Sequence, residues 1–212
     1  MLKNTFKSIL IVAAMLLMAA SPSLAMEKAK MVKESPKAVE LREGMRKLWE
    51  DHITWTRNYI VSAVADLDDA GKVAERLLKN QDDIGDAIKP YYGNEAGKKL
   101  AALLKDHILI AVEVVKAAKA GNSEDLTKAN KKWYDNADDI AAFLSGANPN
   151  WPKKDLKDML HKHLEFTTQE VVSRLKKDWS SDIEAYDKGH MHMLMLADIL
   201  EKGIVKQFPK KF

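Results

Sequence analysis

The chain has no cysteine among its 212 residues. That excludes disulfides and a lipid anchor on cysteine, so the fold is held by packing, or by packing plus a ligand. Period-2 alternation over several residues is hard to find, which removes most support for strands. A serine nucleophile elbow, a phosphate loop and a glycine-rich nucleotide fingerprint are all missing. Excess charge is missing too. The net charge is +3, and Lys3 and Lys7 of the first segment supply two of those charges. Nothing in that balance points to nucleic acid or to an acidic membrane as partner.

Long apolar runs are limited to one. "MLKNTFK" is a basic start, "SILIVAAMLLMAA" an apolar stretch and "SPSLA" a small-residue cleavage region. Residues 1–25 therefore read as a secretory signal peptide cleaved after Ala25. The run is shorter than the ~20 apolar residues of a retained span. After cleavage no stable membrane span is expected, and the protein is expected in the periplasm or outside the cell. Residues 26–34 read as a polar leader, and 35–212 as a single domain.

What is present is helical. Ala, Leu, Lys, Glu and Asp dominate. Ser35 and Pro36 open a helix to about Asp66. A second is expected from Asp69 to Ile88, stopping before Pro90, with "PYYGN" as the turn. A third runs from Asn94 to Ala120, and a fourth follows Ser123 to about Leu144. A fifth lies between Pro152 and Trp179. A sixth, with a Ser181/Glu184 capping box, ends before Pro209. The expected fold is all-α, a six-helix antiparallel bundle built from three related helical hairpins.

The hairpin reading comes from internal similarity. "DHITWTRNYIVSAVADL", "DHILIAVEVVKAAKAG" and "KHLEFTTQEVVSRLKKD" bring His52, His107 and His163 into register. Thr56 and Thr167 follow two of them at i+4. "NQDDIGDAI", "NADDIAAFL" and "DKGHMHMLM" align Asn80, Asn136 and Asp187, and three residues later Asp83, Asp139 and His190. Residues three apart share a helix face. These pairs lie beside the apolar stripe and are expected to be partly or wholly buried. A buried carboxylate or imidazole requires a partner.

Two kinds of partner are available. In one, the histidines and carboxylates bond each other, Asn80 and Asn136 bridge to backbone or to Thr56 and Thr167, and the network sets helix register. In the other, His52, His107, His163, Asp83, Asp139, Asp187 and His190 hold a transition metal such as Fe, Mn, Zn or Cu. Asn80, Asn136, Thr56 and Thr167 then orient the ligands. Met191, Met193 and Met195 read as gap-filling core residues, or with the histidines as a copper site. His192 and His161 read as surface residues. The five tryptophans read as packing, Arg57 with Tyr91 and Tyr92 as solvated, and "DLD" at 66–68 as a turn.

Several stretches also resemble a known family. "LWEDHITWTRNYI", "NQDDIGDAIKPYYG", "LLKDHILIA", "WYDNADDIAAFLS", "HLEFTTQEVVSRL" and "DWSSDIEAYDKGH" are similar to small exported bacterial helical proteins of unknown function. Members often carry the label "glycosyltransferase". The resemblance implies export and supplies no catalytic residues. No stretch reads as the βαβ unit of the common nucleotide-sugar transferases. The leading expectation is a non-enzymatic bundle binding a metal or small ligand through a buried His/Asp/Asn cluster. The rivals are a structural or envelope-stress bundle with a hydrogen-bond network, and a metal-dependent enzyme.

Overall fold

A computed structural model describes residues 34–212; the segment read as a signal peptide, 1–25, and nearly all of that read as a polar leader, 26–34, lie outside the described residues. Six helices follow in order: α1 Pro36–Val64, α2 Ala70–Tyr92, α3 Asn94–Ala120, α4 Ser123–Ala147, α5 Lys153–Leu175 and α6 Trp179–Gln207. A 3₁₀ turn, Pro209–Lys211, ends the chain. No strand occurs among the described residues. The all-α reading therefore holds, and no described helix is long and apolar enough to cross a membrane.

Helix ends follow local chemistry. The Ser35 hydroxyl accepts from the Ala38 N–H, with Pro36 in the first turn, as a proline there costs no intrahelical bond. Several expected ends move; α4 runs on to Ala147, α5 stops at Leu175, and Trp179 opens α6. α2 runs past Pro90 to Tyr92 and closes at Gly93 (φ +86°). Pro90 lies in the final turn, where it cannot donate to the Asp86 carbonyl one turn back. Asn122, not Ser123, caps α4. Asp178 caps α6, accepting from the Ser181 N–H and hydroxyl, so Ser181 is a donor in the first turn and the helix starts earlier.

α2 packs between α1 and α3, α4 between α3 and α5, and α6 between α5 and α1. α1, α3 and α5 also touch one another, so they form the middle of the bundle. One set of buried residues, including Met45, Trp49, Leu100, Leu104, Leu156 and Leu160, makes the main core. A smaller set at the other end, Tyr59, Ile60, Val115 and Val171, again draws on all three inner helices. His52, His107 and His163 lie between the two.

The inner helices stop at equivalent places. Asp66, Gly121 and Lys177 have φ of 56°, 65° and 59°, each fourteen positions past its histidine. The next N–H in each case returns to a carbonyl in the last turn: Leu67 to Ser62, Asn122 to Ala117, Asp178 to Ser173. This is the Schellman closure, which satisfies carbonyls the helix leaves unpaired.

Candidate functional site

The three aligned histidines meet. Their residues are 2%, 3% and 3% exposed. The His163 ring lies 5.6 Å from that of His52 and 6.1 Å from that of His107. Burial holds the His52 imidazole down to about 3, helped by the nearby His107. Burial likewise holds His107 at about 4, and pushes His163 well below the ordinary range, with His52, His107 and His192 adding to it. The layer is therefore neutral near pH 7.

The outer helices supply the polar partners, one for each inner helix. The Asn80 amide donates to the Leu48 carbonyl (3.0 Å) and that of Asn136 to the Leu103 carbonyl (3.1 Å). His192 Nε2 reaches the Met159 carbonyl at 2.8 Å. Each carbonyl belongs to the residue four before the histidine of that helix. The third counterpart of Asn80 and Asn136 is therefore His192, not Asp187. The Asp187 alignment expected from the sequence is five residues off, and His192, expected at the surface, is half-buried and edge-on to Phe166.

The three imidazoles differ in how well they are paired. His107 is fully paired. The Trp133 indole N–H donates to its Nε2 at 3.1 Å, and its Nδ1 bonds the Asn136 Oδ1 at 2.8 Å. A donor on Nε2 fixes the proton on Nδ1. His52 is weakly paired. Gln81 lies 3.4 Å from its Nδ1 but gives its amide hydrogens to the Leu77 carbonyl and Asn80 Oδ1. His163 Nδ1 is buried without any partner, as are Gln81 Oε1 and Trp49 Nε1. Gln81 and Trp133 escaped the sequence reading because both look like core filler; only their contacts reveal a polar role.

A cavity of about 20 Å³, counted by where the centre of a water molecule fits, adjoins the layer. That is room for about one water. His52, His107 and His163 line one part; Thr56, Ile60, Val115, Thr167 and Val171 line much of the rest. The Thr56 and Thr167 hydroxyls donate to the His52 and His163 carbonyls one turn back, so they do not orient the rings.

The expected carboxylates stay outside. Asp83 is half-buried and paired with Lys79 at the surface. Asp139 and Asp187 are exposed. His190, its side chain 26% exposed, stacks on Tyr186 and lies 3.4 Å from Glu50. Among the described residues no group of three or more His, Asp or Glu side chains is arranged to hold a metal. His107 could ligate only by giving up Trp133 or Asn136. The seven-residue ligand set is thus not assembled: three imidazoles converge, and Asp83, Asp139, Asp187 and His190 do not.

Other readings also shift. Met193 is core, whereas Met191 and Met195 are 61% and 51% exposed. His161 is half-buried, bonded to Asp138 Oδ1 at 2.7 Å and edge-on to Tyr134. Arg57 is far from solvated. It bonds Glu170 (2.8 Å) and both oxygens of Asp182, which also accepts from Arg174 (2.9 Å). Burial raises the Glu170 carboxyl to about 7 against the pull of Arg57. Comparison with protein-family models, with curated proteins and with solved structures finds no match to this chain.

Proposed function

We propose that this chain is an exported, non-enzymatic binding bundle made of three variants of one helical hairpin. In this reading the Asn80, Asn136, Trp133 and His192 bonds set helix register. The ligand site is the His163 side of the central cavity, and the ligand is small and neutral. The observation that carries the reading is His163 Nδ1, a hydrogen-bonding atom buried without a partner beside a largely apolar cavity. Such an atom costs about 1–3 kcal/mol if nothing pairs with it. A charged ligand is disfavoured, because no carboxylate or cationic side chain lines the cavity. Export rests on the segment Met1–Ala25.

The test is a thermal-shift screen of small neutral hydrogen-bonding compounds on the mature chain and on His163→Leu, with elemental analysis of untagged protein. Ligands are expected to raise the midpoint of the wild type and not of the variant, and the protein is expected to be metal-free. Stoichiometric Fe, Mn, Zn or Cu would overturn this reading in favour of a metal centre.

A further inference from the structure

Eight large apolar side chains are exposed among the described residues, and five of them stand on α6: Trp179, Ile183, Met191, Met195 and Ile199. A helix with one face in the core normally turns polar side chains to water. α6 does so only in part. Glu184, Lys188, Met191, Met195, Ile199 and Lys202 are all exposed and follow one another at spacings of 4, 3, 4, 4 and 3. At about 100° and 1.5 Å per residue they share a stripe about 80° wide and about 27 Å long. That is the spacing of a seam between two helices. α1 and α5 flank α6, and no described residue covers the stripe. Its middle is apolar and its ends differ in sign. Glu184 stands at the N-terminal end, and Lys202 at the C-terminal end with Lys206 one turn on. Glu184 also pairs with Lys188 at 2.6 Å, a surface contact of little weight.

We propose that two copies of the chain associate through this stripe, their α6 helices antiparallel about a two-fold axis at the level of Met193. Met191 then packs against Met195 of the second copy, and Glu184 faces Lys202 of the second copy. Met191 and Met195 each stand two residues from that level, and Glu184 and Lys202 each nine, so one axis satisfies both pairs. A two-fold contact requires a surface complementary to itself. The stripe meets that requirement by carrying opposite charges at equal distances from an apolar middle. Parallel helices would instead set Glu184 against Glu184 and Lys202 against Lys202, which is unfavourable. A different protein as partner would not require the charge pattern to invert about the midpoint of the stripe. Methionine suits the centre, since its unbranched side chain adapts to the opposing surface. The contact does not involve the central cavity.

Sedimentation velocity of the mature chain between roughly 5 and 500 μM is expected to show a monomer passing into a dimer. Each substitution enters a two-fold contact twice. Met191→Asp is therefore expected to leave only monomer throughout the range. Glu184→Lys and Lys202→Glu are each expected to weaken association about tenfold or more, and the double variant to return it to within about threefold of wild type. All three positions are exposed, so the thermal midpoints are expected to stay near that of wild type and show that the fold is kept. A wild-type chain that stays monomeric over the whole range overturns the proposal, as does a dimer that persists in folded Met191→Asp. A double variant as weak as the single ones overturns the antiparallel two-fold. If the chain is monomeric and Met191→Asp abolishes adsorption to phosphatidylcholine vesicles, the stripe serves a lipid surface and self-association is wrong.

Discussion

His107 and His163 occupy matching positions and should respond to mutation in opposite ways. Removing the His107 ring strands two buried partners, Trp133 Nε1 and Asn136 Oδ1. His107→Leu is therefore expected to cost about 2–3 kcal/mol in urea denaturation. Removing the His163 ring strands nothing at Nδ1. His163→Leu should be neutral, or stabilise by about 1 kcal/mol. Equal losses in the two variants would mean that His163 is paired after all. Residue type alone could not separate them. Three histidines in register look alike in sequence, and their pairing depends on positions 133, 136 and 192 of other helices.

At the scale of the helix, the inner three end in the left-handed region, but only one does so with glycine. Asp66 and Lys177 carry a Cβ there, at roughly 1 kcal/mol each. Lys177→Gly is expected to raise stability by a few tenths to about 1 kcal/mol, and Gly121→Ala to lower it by about 1 kcal/mol or more. Thermal midpoints of the two variants, measured against wild type, check both signs. Gly121 was readable in the sequence as a helix end. The matching roles of Asp66 and Lys177 were not, because neither residue type announces a left-handed turn. The slip at Asp187 has a similar origin. The third outer helix has His192 where the others have asparagine, and a five-residue shift leaves a helix about 140° out of phase. Asp187, placed beside the apolar stripe by that shift, consequently faces water.

Across the whole molecule, the ring of helices closes without a connecting turn between α6 and α1. Ion pairs stand at that seam. Arg46 bonds Asp198 through two contacts of 2.6 Å, Arg57 grips Asp182, and His190 faces Glu50. Asp182 is buried and serves both Arg57 and Arg174. Asp182→Asn should cost about 3 kcal/mol, since it leaves two guanidinium groups short of their carboxylate; a loss below ~1 kcal/mol would show the seam to be held by packing alone.

The uncharged histidine layer also sets a pH dependence. Imidazoles in the unfolded chain titrate near 6.5, whereas His52 and His107 titrate near 3 and 4 in the fold, and His163 well below 6.5. Below about 6.5 the unfolded chain takes up protons that the folded one refuses. Stability is then lost progressively as the pH falls toward about 3. Glu170 acts in the opposite sense. Its folded value of about 7 exceeds the 4.5 of the free carboxyl, so its contribution is full below 4.5 and fades as the pH rises through 7. Three imidazoles outweigh one carboxyl. The urea midpoint should climb between pH 4 and 6.5, then level or dip near 7, and Glu170→Gln should remove the dip.

The sequence by itself determined the helices and the register of His52, His107 and His163. Helical period, capping residues and the spacing of apolar side chains act within a few turns, and each can be read from neighbours along the chain. Only the tertiary structure decided which polar groups face inward, which imidazole lacks a partner, and where the ionic seam lies. Those outcomes depend on the rotation of one helix against another, which is set by side chains dozens of residues away.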